Sequence, residues 1–396
     1  MKTIINQDDS FKLSVFRICF YITIISNLVI FIAQPFGITI LISLASRCFL
    51  FSNLIAFLFV VFDNIHCYLP YKTKQIITIA FMIGFSMISY LVSSEVGLYD
   101  YIIRIWCYLA LPFYFLYLDY LEPEKKMIHF IFLINIVTSV VYTALSFTGL
   151  SYAGYEKYIG TQGAWLTLGY GNPNQTAMYL IINLIVLLCA FHYYNKMYCK
   201  IMLLLLMGYM GYLLIKTSSR TCIIIAGIIL LIDLFKKKYR ISKYFVVVIL
   251  LIPVIFLAAY PYLYEHNLLN IFSFRGKSDY SSRDYIFQSS LQEVQKHFVF
   301  GKFGEFQLQN LHNGILSIYA SLGLVGLTLF YQYNIRAYLN ILSSKIKSKA
   351  AFISYIGLLF VFLHACTEGA FFVGGTVFAG SLSLLIYLTK LEGKEG

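Results

Sequence analysis

Charged residues are scarce in this 396-residue chain: Asp, Glu, Lys and Arg make up 12% of it, about half the roughly 25% typical of soluble globular domains. Hydrophobic residues make up 60% and aromatic residues 18%. That composition excludes a soluble protein. At about 20 residues per membrane-spanning helix, the length accommodates a dozen crossings with short connections. The sequence therefore predicts an all-α integral membrane protein that forms a single polytopic domain over residues 1–396.

Several chemical signatures are also missing. The eight cysteines are scattered, mostly inside apolar runs, and no Cys-x-x-Cys pair indicates zinc or redox chemistry. The predicted external segments contain no Asp-x-Asp pair and no His and Cys cluster, so metal-dependent nucleotide-sugar chemistry is poorly supported. No Gly-rich phosphate loop of the P-loop kind is present. These absences predict a site without a metal and without a cofactor.

Twelve apolar runs have the length that a membrane crossing needs. They are 13–33, 37–62, 74–94, 98–119, 127–148, 174–194, 199–216, 219–235, 242–262, 312–333, 351–367 and 370–389. The first run is longer than the core of a signal peptide and no small-x-small cleavage site follows it, so it is expected to remain as a helix. Only two external connections are long, 149–173 and 263–311.

The distribution of basic residues predicts the orientation of these helices. The net charge is +12, from 30 Lys and Arg against 18 Asp and Glu. With the N-terminus inside, 19 of the 30 basic residues fall on the cytoplasmic side and eight outside, in keeping with the positive-inside rule. Both termini are therefore predicted to be cytoplasmic. Because the basic excess follows topology and forms no cluster on a water-soluble face, nucleic acid is not an expected partner.

Arginine is distributed differently from lysine. The cytoplasmic set contains 17 Lys and two Arg, whereas six Arg lie in external segments or inside helices. Guanidinium grips phosphate through two parallel hydrogen bonds and keeps its charge when partly desolvated. The pattern predicts a phosphate-bearing substrate at the outer face. The alternative is that some arginines only extend toward the interface, as we expect of Arg17.

Three polar motifs stand out against the apolar background. Residues 169–175 (GYGNPNQ) form a turn before the sixth predicted helix, where an asparagine or the glutamine can lead the helix. Residues 216–220 (KTSSR) are a basic cluster in which Arg220 opens a helix, so an anion there would also meet free N–H groups. Residues 310–313 (NLHN) run into the tenth predicted helix, and 323–326 (GLVG) follow. Each motif has a structural alternative: a turn, a helix cap, or close helix packing at glycines.

These motifs resemble, in kind and in order, those of the bacterial O-antigen polymerase and O-antigen ligase superfamily, the Wzy-type membrane glycosyltransferases. The family signature is His-Asn, nine residues, then Gly-x-x-Gly, and His312 and Asn313 followed by 323–326 match it. The turn 300–304 (FGKFG) also occurs in the family's order. The resemblance covers about 169–328.

The resemblance implies a GT-C-like bundle of about 12 transmembrane helices with one large external loop, 263–311, that carries short helices. It implies a metal-independent glycosyltransferase that transfers glycan from undecaprenyl diphosphate to an acceptor hydroxyl at the outer face of the bacterial cytoplasmic membrane. A polymerase, which we favour, extends a lipid-linked repeat unit of O-antigen, capsule or exopolysaccharide. A ligase uses a separate glycolipid or protein acceptor. Expected partners are the undecaprenyl-diphosphate-linked oligosaccharide, membrane lipid, a chain-length regulator and a flippase.

The chemistry of that reaction nominates the site residues. Charge develops on the diphosphate as the anomeric C–O bond breaks, and Arg220 and Arg283 are expected to stabilise it as catalytic residues. The acceptor hydroxyl must lose a proton, and His312 is the expected catalytic base. The expected substrate-binding residues are Arg275, Arg104, Asn172, Asn174, Asn313 and Glu368. Of these, Glu368 is the competing base or an ordinary turn acid, Arg104 alternatively extends to the interface, and the asparagines alternatively cap helices.

A transporter, such as a flippase for lipid-linked sugars, is the main rival from another class. Transporters tend to have internal repeats and helices broken at the membrane midplane. Five of the seven prolines fall in predicted loops or at the ends of predicted helices, which leaves only Pro112 and Pro253 in helix interiors, and one external loop dominates. Both features disfavour alternating access. Arg47, about ten residues into its helix, keeps this alternative open. A purely structural membrane scaffold is a third alternative, but it leaves the polar external motifs unexplained.

Overall fold

The computed structural model describes residues 7–66, 70–93, 98–152, 165–236, 241–266, 290–292, 294–302, 313–343, 346–368 and 376–392. Over these ranges the protein is all-α, without a strand. Its longer helices are α1 (Gln7–Ala33), α2 (Thr39–His66), α3 (Pro70–Ser93), α4 (Leu98–Tyr117), α5 (Lys125–Ser146), α6 (Pro173–Tyr193), α7 (Met197–Lys216), α8 (Arg220–Phe235), α9 (Lys243–Glu265), α10 (Gly314–Ser343), α11 (Lys349–Glu368) and α12 (Thr376–Leu388). Each of the twelve predicted apolar runs overlaps one of them.

Seven of the described helices are long and apolar enough to cross a membrane: α1, α2, α5, α6, α7, α9 and α10. Shorter apolar segments lie at Thr73–Ile88 in α3 and at Lys349–His364 in α11. A helix needs about 20 apolar residues to span the hydrocarbon core of a bilayer. The chain is therefore a multi-pass helical membrane protein.

The helices differ strongly in how much of their surface the protein covers. In α6, 78% of the apolar stretch is buried inside the protein, and in α10 the value is 72%. The corresponding values for α7 and α9 are 22% and 28%. Their exposed Leu, Ile and Val side chains suit a lipid environment, because apolar surface that faces lipid is not exposed to water. Helices α6 and α10 thus form the centre of the bundle, and α7 and α9 lie at its periphery.

Polar side chains connect helices inside this apolar bundle. The Ser139 hydroxyl of α5 donates to Oδ1 of Asn183 in α6 over 2.8 Å, and Nδ2 of Asn183 donates to the carbonyl of Asn135 over 3.0 Å. Nδ2 of Asn27 in α1 donates to the hydroxyl of Ser381 in α12 over 3.3 Å. Interhelical hydrogen bonds of this kind add to van der Waals packing where lipid leaves no hydrophobic drive between helices.

Helix α11 runs antiparallel to three neighbours, and this fixes which helix ends lie together. Its contacts are Ala350 with Cys189 and Gly357 with Ile185 on α6, Lys349 with Asp233 and His364 with Cys222 on α8, and Leu358 with Tyr338 and Phe362 with Phe330 on α10. In each pair of helices the residue numbers run in opposite directions. The starts of α6 and α8, and the part of α10 that immediately precedes Phe330, therefore lie beside the end of α11. We call this the site end of the bundle.

The start of α1 and the end of α12 lie together at the opposite end. The Arg17 guanidinium of α1 pairs with the carboxylate of Glu124, and the Glu124 N–H donates to the Tyr387 hydroxyl of α12 over 2.9 Å. The Tyr387 hydroxyl in turn donates to the Glu122 carbonyl over 3.1 Å. Arg17 was expected only to extend toward the interface; it instead has a carboxylate partner immediately before α5.

The tenth predicted helix, 312–333, is not continuous. Helical structure runs over Gly314–Ser343, but the backbone leaves the helical region at Gly323, where φ is 63° and ψ is −166°. Glycine adopts such a conformation without the steric cost that a Cβ would bring. Helix α10 is therefore two segments joined at a break. Helix α9 also runs to Glu265, so the predicted loop 263–311 begins three residues later than expected.

Candidate functional site

The start of α6 is built around Asn172. Its backbone is extended, and its side-chain Oδ1 accepts a hydrogen bond from the N–H of Asn174 over 2.9 Å. Pro173 follows in the first helical turn, where a missing N–H is not needed by the helix. Asn172 is exposed and Asn174 is half-buried. The capping role that the sequence left open for the asparagines is thus filled by Asn172, and both residues lie at the site end.

The segment 165–171 leads into α6, and hydrogen bonds of its backbone groups with Ser151 and Thr176 fix its position. The N–H of Thr167 donates to the carbonyl of Ser151 over 2.8 Å. The hydroxyl of Thr176, one turn into α6, donates to the carbonyl of Thr167 over 2.6 Å. These bonds satisfy buried backbone groups that would otherwise be costly away from water. The approach to α6 therefore has a defined path.

Two residues of this segment reach the first helix. Gly169 has φ of 81°, and a Cβ built on it would come within 2.8 Å of the Cβ of Pro35. The Tyr170 hydroxyl donates to the carbonyl of Phe31 over 3.0 Å. Burial raises the pKa of Tyr170 well above its ordinary value, so the hydroxyl stays protonated and keeps donating. The glycine that the sequence assigned to a turn is thus required by a close backbone approach.

Arg220 is the first residue of α8 and follows a tightly bonded turn. The Thr217 hydroxyl donates to the Leu214 carbonyl over 2.7 Å and accepts from the N–H of Ser219 over 3.3 Å. Ser218 takes a left-handed conformation with φ of 55°. The half-buried Arg220 therefore starts α8 in a fixed position, where unpaired N–H groups of the first turn add positive potential.

The segment that leads into the first motif contacts the second motif. The N–H of Leu166 donates to the carbonyl of Lys216 over 3.2 Å. This bond connects the segment that precedes α6 with the turn that precedes α8. The motifs 169–175 and 216–220 are about 45 residues apart in sequence, so only tertiary structure brings them together.

A contact between the buried Cys222 thiol and the buried His364 imidazole connects α8 with α11, two residues after Arg220 in sequence. The Cys222 Sγ lies 3.1 Å from Nε2 of His364, and both side chains are almost fully buried. Glu368 follows four residues after His364 and ends α11, so the two residues share a face of that helix. The sequence analysis predicted that Glu368 lies in a turn. In the structure it is the last residue of α11. The sequence analysis did not identify the contact between Cys222 and His364. The four-residue spacing of His364 and Glu368 could have indicated that these two residues share a helix face.

Asn313 begins α10 as a buried cap. Its Oδ1 accepts from the N–H of Leu316 over 2.9 Å, and its carbonyl accepts from the Ser317 hydroxyl over 2.7 Å. Only 3% of Asn313 is exposed. The asparagine of the His-Asn pair therefore caps a helix, which was the structural alternative for this residue. His312, its neighbour in sequence, lies outside the described residues.

The glycine motif of α10 receives a turn from the segment that precedes α10 in sequence. The N–H of Lys302 donates to the carbonyl of Ala320 over 2.8 Å, and the N–H of Leu324 donates to the carbonyl of Phe298 over 2.9 Å. Gly301 and Gly323 face each other so closely that a Cβ on Gly301 would come within 2.4 Å of the Gly323 nitrogen. Two motifs that the family resemblance paired by order are thus in direct contact, and Gly323 serves this turn instead of helix–helix packing.

Arg104 lies on α4, which runs parallel to α10. The Tyr333 hydroxyl of α10 donates to the Pro112 carbonyl over 2.7 Å, and Tyr338 packs on Phe115 with ring centroids 5.2 Å apart. Arg104 precedes Pro112 by eight residues, so its backbone lies toward the site end. Its side chain and that of Glu368 lie outside what the structure describes, and Arg275 and Arg283 belong entirely to the part of the chain that is not described.

Charged side chains at the opposite end form pairs between helices. Oδ1 of Asp233 lies 2.9 Å from Nε2 of His192 and 2.8 Å from Nζ of Lys349, which joins α6, α8 and α11. The Lys12 ammonium lies 2.6 Å from Oδ1 of Asp63. The sequence analysis did not identify the Asp233 cluster. A single acidic residue in the last turn of an apolar helix is the sequence feature that could have indicated it. This end is built as a structural junction.

At the site end, a guanidinium at the start of α8 and exposed or half-buried amides at the start of α6 lie at the same end of the bundle. Such groups are suited to a phosphate and to hydroxyl-bearing groups. Among the residues described, no three His, Cys, Asp or Glu side chains come together as metal ligands would. No family model matches the sequence, and no curated protein matches it.

Proposed function

We propose that this protein is a polysaccharide polymerase. It transfers glycan from undecaprenyl diphosphate to the acceptor hydroxyl of a lipid-linked repeat unit, at the outer face of the bacterial cytoplasmic membrane. One observation carries the proposal: residues nominated by separate sequence motifs begin α6 and α8 at the end of the bundle where α11 ends, and the glycine motif 323–326 of α10 lies at that same end.

The proposed orientation places the site end outside the cell and the opposite end in the cytoplasm. Lys125, Lys349 and Lys390 lie at the starts or ends of helices at the opposite end, as the positive-inside rule expects of cytoplasmic ends. All twelve helices then cross the membrane, including α8 and α12, which are short. A GT-C-like arrangement of this kind leaves the carrier's prenyl chain in the bilayer and its diphosphate at the site end.

The leaving group is the lipid diphosphate. As the anomeric C–O bond breaks, the electron pair stays on the diphosphate oxygen, and Arg220 stabilises that charge together with the N–H groups at the start of α8. Arg283 is the second proposed catalytic arginine, and Arg275 and Arg104 bind the diphosphate from the loop and from α4. Asn172 and Asn174 hydrogen-bond to sugar hydroxyls beside Arg220.

The nucleophile is a hydroxyl of the acceptor sugar. Its oxygen forms the new bond to the anomeric carbon, and its proton passes to His312, the proposed base, with Glu368 as the competing candidate. His312 directly precedes the buried cap Asn313, which fixes where the chain enters α10. Attack from the face opposite the leaving group inverts the anomeric centre. A flippase would deliver the substrate, and a chain-length regulator would act on the growing product.

The test uses the purified protein in lipid with one substrate, an undecaprenyl-diphosphate-linked repeat unit, and separates the products by size. A ladder of multiples of the repeat establishes the polymerase. If no ladder forms but an added glycolipid or protein acceptor becomes glycosylated, the protein is a ligase. If neither product forms and the substrate crosses the bilayer, the protein is a transporter and the proposal is wrong.

A further inference from the structure

Three consecutive apolar residues protrude from the turn that docks on α10. Phe298, Val299 and Phe300 are 49%, 47% and 62% exposed. Their backbone is held against the break in α10 by the hydrogen bonds of Phe298 and Lys302 and by a third, from the Val325 N–H to the Val299 carbonyl over 3.2 Å. Because the backbone is fixed, the exposed side chains cannot turn inward, and their exposure is a property of the fold.

The turn lies level with the apolar part of α3. The ring of Phe300 packs against Phe85, with centroids 5.8 Å apart. Phe85 belongs to the apolar segment Thr73–Ile88. On the same stretch of α3, Phe81 and Ile88 are 65% and 62% exposed, as side chains that face lipid are. The protruding residues therefore continue a lipid-facing surface, and water is not the medium they adjoin.

Basic residues flank the apolar tip. Lys296 is exposed and lies two residues before Phe298, and Lys302 and His297 are half-buried on either side of the turn. Upstream, residues 290–292 and 294–296 are helical, and Val294 is buried. Aromatic side chains between basic residues are typical of segments at the boundary between acyl chains and phosphate headgroups.

We propose that residues 296–302 are a membrane anchor for the large external segment. Phe298, Val299 and Phe300 insert among the phospholipid acyl chains of the leaflet at the site end, while Lys296 and Lys302 lie at the level of its phosphate headgroups. The occupant of this surface is the bilayer itself. The inference rests on burial and contacts of the described residues and is independent of the proposed enzymatic activity.

The experiment is tryptophan quenching in nanodiscs. Phe300→Trp is compared with the parent protein, so that emission from Trp106 and Trp165 is subtracted. Phospholipids brominated near the headgroup are expected to quench the new tryptophan at least half as much as they quench Phe81→Trp on the lipid-facing side of α3. Iodide is expected to quench it far less than it quenches Glu392→Trp, a water-exposed position at the opposite end.

Quenching of Phe300→Trp by iodide to the extent seen for Glu392→Trp, without quenching by brominated lipid, overturns the proposal. Val299→Trp is the second variant, because Val299 is also exposed in the same turn and reports the same depth if Phe300→Trp does not fold. The two positions are expected to agree. A lipid-quenched residue 300 beside an iodide-quenched residue 299 would also contradict insertion of the whole turn.

Discussion

At the scale of single residues, the absence of a side chain decides how the segment before α10 joins the bundle. Gly323 breaks α10 and Gly301 fits into the break, and neither position has room for a Cβ. The sequence offered two explanations for the glycines of α10, a family signature and close helix packing. The structure gives Gly323 a third role, which is to receive a turn from a distant part of the chain.

Gly323→Ala is expected to destabilise the protein by about 2 kcal/mol or more, because its φ of 63° suits glycine and a Cβ would lie 2.2 Å from the Val299 carbonyl oxygen. The measurement is the thermal unfolding midpoint in detergent. Gly84→Ala is the matched control: it lies in α3, and no atom lies within 4 Å of the position that its new methyl group would occupy, so a gain of up to about 1 kcal/mol is expected. Equal midpoints for the two variants would contradict the role of the break.

If the proposed function is right, Arg220→Ala is expected to reduce kcat/KM for glycan transfer by about 100-fold or more, because it removes the charge that we propose stabilises the diphosphate. Arg220→Lys keeps the charge but loses the two parallel hydrogen bonds of guanidinium. Its kcat/KM is therefore expected to lie between those of Arg220→Ala and the parent. Both are measured with the repeat-unit assay at matched protein levels. Lys216→Ala, in the same turn, is the control and is expected to remain near the parent rate. Full activity in Arg220→Ala would contradict the site.

At the scale of helices, hydropathy predicted where apolar segments lie but not how they join. The overlap of all twelve runs with helices follows from local physics, because backbone groups in a bilayer must bond within their own segment. The break at Gly323 could not be read in this way. A glycine in an apolar run is compatible with a continuous helix. Only the turn at 298–302, which bonds to both sides of the break, makes the break necessary.

The contact of α8 with α11 predicts energetic coupling between Cys222 and His364. Cys222→Ala and His364→Ala are each expected to lower the unfolding midpoint, and the double variant is expected to lose less than the sum, with a coupling of about 1 kcal/mol. Cys189→Ala combined with His364→Ala is the control pair. Cys189 meets the start of α11, about 20 Å from His364, so these two changes should be additive.

The Asp233 cluster predicts a second effect at the scale of helices. Asp233→Asn is expected to destabilise the protein by about 1–3 kcal/mol, because it removes the carboxylate that pairs with the partly buried Lys349 ammonium and lies against the His192 imidazole. Glu392→Gln breaks the solvent-exposed pair with Lys347 and is expected to change stability by less than about 0.5 kcal/mol. Thermal unfolding of both variants measures the difference. A loss as small as that of the exposed pair would show that the cluster is not structural.

At the scale of the whole molecule, the number of crossings decides on which sides the chain ends lie. Seven of the described helices satisfy length and hydropathy, and an odd number of crossings would place the start of α1 and the end of α12 on opposite sides. The pairing of Arg17 with Glu124 and the bond from Glu124 to Tyr387 place those two helix ends together. An even number of crossings between them agrees with this contact, and twelve is the number we propose.

Reporter fusions test this arrangement. A reporter that is active only in the cytoplasm is expected to be active at both termini and after Phe235, whereas a reporter that is active only outside is expected to be active after Phe147 and after His266. The reason is that helices of alternating direction place these points on alternate sides. A cytoplasmic signal at one terminus and an external signal at the other would refute the proposed topology.

The sequence by itself determined the membrane class, the helical segments and the identity of the polar motifs, because hydropathy, charge distribution and capping chemistry are local properties. Tertiary structure alone decided that Leu166 bonds to Lys216, that Cys222 lies against His364, and that Gly301 enters the break at Gly323. These contacts join segments far apart in sequence. They depend on which helix faces pack together, and similar apolar faces along many helices leave that choice undetermined until the whole bundle is assembled.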